Sequence, residues 1–121
     1  MKNLFYLYIL SSLCLTSCYY DSVEDLYPAS ECIALNVSFS KDIQPILVNN
    51  CLICHTAAST IGGGINLEGH EAVLFYAESG ALVGSVKQAA PYSAMPKSAA
   101  KLDACKILKI EAWVQAGSPN N

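Results

Sequence analysis

Five consecutive residues, Cys51-Leu52-Ile53-Cys54-His55, carry the clearest chemistry in this 121-residue chain. Two thiols three positions apart at the end of a helix reach the two vinyl groups of one haem, and the histidine that follows brings its imidazole under the iron. Three attachments fix the porphyrin plane, so the pattern reads as a single, covalently bound haem c. Paired cysteines serve two other chemistries. A thioredoxin-like dithiol needs a βαβ setting and gives the histidine no role. A zinc site needs four ligands, usually including a second close pair, whereas Cys32, His70 and Cys105 stand singly.

The other cysteines sort by position. Hydrophobic residues make up 53% of the chain against 14% charged, and residues 4–15, LFYLYILSSLCL, hold a disproportionate share of that excess, with Cys14 among them. This run follows Lys2 and is about half the roughly 20 residues a membrane span requires, which suits the apolar region of a secretory signal. Leu15-Thr16-Ser17-Cys18 resembles the lipobox of bacterial lipoproteins. That resemblance implies removal of residues 1–17 and diacylation of the Cys18 sulfur; an ordinary signal cut nearby is the alternative. Export also suits c-type haem, which is attached outside the cytoplasm. Cys32 and Cys105 then remain in an oxidising compartment with no partner but each other. A disulfide between them is the expectation, and two unrelated buried thiols the alternative.

Removal of the signal leaves 104 residues, enough for one small domain. Six lysines and no arginine then face ten acidic residues, a net charge of −4. Phosphate binding depends on clustered Lys and Arg, so nucleic acid is not an expected partner. The acidic balance equally gives no reason to expect polybasic attachment to lipid. The membrane link is therefore expected to be covalent, through the lipid on Cys18.

These residues need elements to position them. Residues 18–36, which include YYDSVEDLYPAS, are polar and lack periodicity, and read as a tether spanning roughly 20 to 25 Å. The domain is expected over residues 37–121. Its first helix is expected to begin at Asp42, with Ser40 as the alternative cap, because Pro45 fits best in a first turn. Ile43, Ile46, Leu47, Cys51 and Cys54 follow three- and four-residue steps, which puts the core face and the haem-bonding face in line. Gly62-Gly63-Gly64 lacks the Lys-Ser or Lys-Thr of a phosphate loop and reads as backbone passing close to a flat cofactor. Short helices are expected over 71–79 and 82–88, and a last one over 103–116, capped by Asp103 and stopped by Gly117 and Pro119. The fold class is all-α, with three to four helices. Between the last two helices lies AAPYSAMPKSAA, whose one soft ligand is Met95.

Together these segments resemble a small bacterial class I cytochrome c over residues 37–121. The resemblance rests on FSKDIQPIL before CLICH, on Met95-Pro96-Lys97, and on IEAWVQAG near the end. It implies a cytochrome c-like fold around the haem, with the first and last helices crossing near Ile43 and Trp113. It also implies axial ligation of the haem iron by His55 and Met95, a thioether at the sixth position raising the potential. His70, the other potential ligand, is expected to be a surface or capping side chain. Without arginine, the haem propionates would fall to Lys, Tyr92 or backbone amides.

The function implied is a membrane-tethered electron carrier, exported and facing the periplasm or the cell surface. Its partners would be other redox proteins, with no small-molecule substrate and no catalytic residue. Two alternatives stay open. One is a haem enzyme or gas sensor with a displaceable sixth ligand; the other is a fixed haem subunit of a larger oxidoreductase complex.

Overall fold

The first helical turn of the computed structural model, which describes residues Cys32–Asn121, is capped by Ser38 and not by Ser40 or Asp42. Ser38 Oγ accepts the Lys41 N–H at 3.4 Å, and the Asp42 carboxylate reaches back to accept the Ser38 N–H at 3.1 Å. This is the reciprocal logic of a capping box, lengthened by one residue because the turn Phe39–Ile43 is π-helical. Pro45 lies just beyond it and has no N–H to donate. The chain enters α1 (Gln44–Asn50) only after the π turn has handed the Gln44 N–H to Phe39 O. The sequence pattern located Pro45 in a first turn but carried no sign of the extra residue before it.

Three more helices follow: α2 (His70–Glu78), α3 (Ala81–Lys87) and α4 (Ala104–Gln115). The described residues contain no strand, so the fold is all-α, and the expected boundaries hold to within about a residue. Asp103 caps α4 by accepting the Lys106 N–H at 2.9 Å. None of these helices is long and apolar enough to cross a membrane. The expected signal, the lipidation site at Cys18 and the tether up to residue 31 lie outside the described residues.

The core is one apolar cluster in which Ile43, Val73, Ile110 and Trp113 are fully buried. The π turn packs on α1 and α4, α2 on α3, and α3 on α4. Polar links fix these contacts at their edges. Lys109 pairs with Asp42 at 2.8 Å, and Lys87 with Glu111 at 2.6 Å. The last residues are sewn back onto the start of the domain: the Ser40 N–H donates to Asn121 O at 2.9 Å and the Phe39 N–H to Asn121 Oδ1 at 2.8 Å. Cys32 and Cys105 are joined by a disulfide, Cα to Cα 5.4 Å, which ties the segment before the π turn to the first turn of α4.

Candidate functional site

Regular helix ends at Asn50, and Cys51 is the C-cap of α1. The motif is therefore not a continuation of the helical face; it forms a closed turn of its own. Cys51 O accepts both the Cys54 N–H and the His55 N–H, each at 3.0 Å. That turn brings Cys51, Cys54 and His55 together with both thiols free and half-buried.

The loop after it holds His55 from two sides. The His55 carbonyl accepts the Leu67 N–H at 2.9 Å, and His55 Nδ1 lies 3.3 Å from the Ile65 carbonyl oxygen. A carbonyl only accepts, so Nδ1 is the donor in this contact. This is the arrangement usual for a metal-ligating histidine, whose second nitrogen donates to a backbone carbonyl or carboxylate. Gly62 makes the loop's approach feasible. A Cβ there would collide with the Cys54 carbonyl oxygen and stand 2.9 Å from His55 Nδ1. The close approach expected of the glycine run is thus to the motif's own backbone at Gly62, while Gly63 and Gly64 supply positive φ angles of 66° and 75°.

The Cys51 thiol is not poised as a nucleophile. Burial pushes Cys51 up to about 11, and the C-terminal end of a helix adds no positive potential to stabilise a thiolate. Both features oppose the thioredoxin-like alternative, whose reactive cysteine needs a depressed pKa. Among the described residues, no three His, Cys, Asp or Glu side chains converge into a group able to hold a metal ion. The donors present fit a haem: two free thiols and an oriented imidazole in one turn. Ile53 and Ile61 beside them are 85% and 74% exposed, apolar surface of the kind a hydrophobic ligand or partner covers.

Met95 is held separately, on α3. Its N–H donates to Ser85 O at 3.0 Å, and its side chain belongs to a half-buried residue. His70 is not the surface or capping residue expected. Gly69 occupies the cap of α2, and the His70 ring is packed edge-on against Phe39 and Trp113, with centroids 4.9 and 6.0 Å apart. Its Nε2 donates to Ser118 O at 2.8 Å, while its buried Nδ1 has no protein partner. The aromatic neighbours from distant parts of the chain captured it, which local sequence at a helix start does not reveal.

Sequence reasoning missed the supports of the two candidate ligands, Ile65 O and Ser85 O. Both are backbone atoms and leave no mark in residue type. Compared with protein-family models, curated proteins and solved structures, the chain matches none.

Proposed function

We propose that this chain is a monohaem c-type cytochrome with a cytochrome c-like fold, passing single electrons between protein partners. The observation that carries this reading is the 3.3 Å contact between His55 Nδ1 and the half-buried Ile65 carbonyl oxygen, which turns Nε2 into the nitrogen available to ligate, in the same turn that presents two free thiols. Cys51 and Cys54 would hold the porphyrin through thioethers, with His55 and Met95 as axial ligands. Bound there, the haem supplies a one-electron couple whose potential the axial thioether raises.

The chain's own residues set the conditions. Ile65 O orients the imidazole, Gly62 lets the loop close over the turn, and Ser85 O tethers Met95, which favours a permanent sixth ligand over a displaceable one. Export and lipid attachment at Cys18 belong to the same proposal, supported by the apolar run and the Leu15-Thr16-Ser17-Cys18 motif.

The decisive experiment is spectroscopic. After export from cells that mature c-type haem, the polypeptide should keep one haem through acid-acetone extraction. Its ferric form should be low spin, with the weak red band of sulfur-to-iron charge transfer, and its ferrous form should bind carbon monoxide poorly. Met95→Ala should abolish the band, and His70→Ala should leave it in place. A high-spin protein that binds carbon monoxide rapidly and reduces peroxide would replace the carrier with the enzyme or sensor. A colourless, zinc-containing product would end the haem reading itself. In detergent phase separation the full chain should enter the detergent phase and Cys18→Ser the aqueous one; equal partition would remove the lipid.

A further inference from the structure

We infer that Gly84 and Tyr92 form a seat that positions Met95, an inference that rests on the reading of Met95 as a haem ligand. Gly84 stands mid-way along α3, where glycine is less favourable than alanine, so its presence needs a reason. Backbone conformation is not that reason, because its φ is not among the positive ones. Space is. A Cβ on Gly84 would run into the Tyr92 ring, meeting Cδ2, Cε2 and Cγ. The aromatic ring therefore lies directly on the bare helix backbone, the closest approach a side chain can make to a helix.

The same turn of α3 also anchors the loop through its main chain. Gly84 O accepts the Ala89 N–H at 2.9 Å, Ala89 O accepts the Tyr92 N–H at 3.0 Å, and Ser85 O accepts the Met95 N–H at 3.0 Å. Tyr92 is the one large aromatic side chain between Ala89 and Pro96, and the rest of that stretch is Pro, Ser, Ala and Met95. Three backbone bonds and one ring contact thus define where Met95 stands relative to α3. The ring sets the height of the loop above the helix, and a methyl group at position 84 raises it. Because a thioether must reach its metal at bonding distance, a displacement of this size is enough to weaken ligation while leaving the helices intact. The role assigned here to Gly84 and Tyr92 is that of positioning residues, exerted through Met95.

The test uses the full-length haem-loaded protein and four variants: Gly84→Ala, Tyr92→Ala, Tyr92→Phe and the Gly84→Ala/Tyr92→Ala pair. The wild type should show the sulfur charge-transfer band, and Tyr92→Phe, which keeps the ring, should match it. Gly84→Ala and Tyr92→Ala should each weaken the band, lower the reduction potential and speed carbon monoxide binding at least tenfold, with far-ultraviolet circular dichroism unchanged. The double variant removes the clash without restoring the seat, so it should stay as perturbed as Tyr92→Ala. Amide exchange at Met95 should accelerate at least tenfold in both single alanine variants. If the wild type itself lacks the band, the ligand assignment fails and takes this inference with it. If the wild type has the band while the alanine variants keep it, with unchanged potential, gas binding and Met95 exchange, the seat alone is wrong.

Discussion

At His55 the critical contact is made by a backbone atom, the Ile65 carbonyl, and residue types around it gave no warning. The motif itself stood out in the sequence because the haem chemistry proposed for it demands specific side chains at fixed spacing. The supports did not, since any residue supplies a carbonyl. Gly62 lies between these cases: three successive glycines signalled a close approach, but only the structure identifies which of them meets a neighbour. The consequence is an ordering among three similar substitutions. Gly62→Ala drives a methyl group into the Cys54 carbonyl and against the His55 ring. It should cost about 2 to 3 kcal/mol, the upper range for overpacking, and lower the yield of covalent haem. Gly63→Ala and Gly64→Ala meet nothing within 4 Å and suffer only their positive φ, a cost of about 1 to 2 kcal/mol. Denaturant titration and haem content per polypeptide should rank Gly62→Ala as the most damaging; equal damage at all three would show that φ, and not crowding, governs the loop.

Helix positions followed from apolar spacing and stop residues, whereas the register of the first turn did not, because that π turn is set by the hydrogen bonds that Ser38, Asp42 and Gln44 make. Asp42 illustrates why. The sequence suggested it as a cap, yet its carboxylate accepts the Ser38 N–H and pairs with Lys109 on α4, so it joins two elements. The hydrogen bond from Lys109, followed by that from Ser38, holds the carboxyl below its ordinary value of 3.8. A depressed folded-state value stabilises the fold wherever the unfolded carboxyl is already ionised, and that contribution is lost as pH falls through the folded value. With Asp42 and Lys109 side chains 25% and 29% exposed, the link is worth about 1 kcal/mol after solvent screening. Asp42→Asn should therefore be less stable than wild type by about that amount near neutral pH. The difference should shrink once the pH drops below 3.8, as thermal unfolding measured across the acid range would record. A constant deficit from neutral to strongly acid conditions would mean that shape or hydrogen bonding, not charge, makes the contribution.

At the scale of the whole domain, an all-helical unit of this size has a limited core, and what the sequence conveyed least was how the two ends of the described residues are fastened. Asn121 secures the π turn from the C-terminal side, and the Cys32–Cys105 disulfide secures the segment ahead of it to α4. Parity of cysteines suggested the pair; no sequence feature revealed that the bond lands on the first turn of α4, beside the Asp103 cap. The 73-residue separation encloses the π turn, α1, α2 and α3, so in the chain-entropy picture the cross-link removes about 4 kcal/mol of unfolded-state freedom. That is a large part of the 5 to 15 kcal/mol that holds an ordinary domain together. The bond and the Cys51–His55 turn share no residues, so their effects should separate. Cys32→Ser/Cys105→Ser should lose about 4 kcal/mol, which for a domain of this length lowers Tm by roughly 16 to 32 °C. Its visible spectrum and covalent haem content should stay those of the wild type, because Cys51, Cys54, His55 and Met95 are untouched. Peptide mapping without reduction should recover residues 32 and 105 on one linked fragment in the parent protein. Thiol labelling of both cysteines in freshly isolated material, together with an unchanged Tm in the double variant, would show that packing and the Asn121 hydrogen bonds hold the domain without the cross-link.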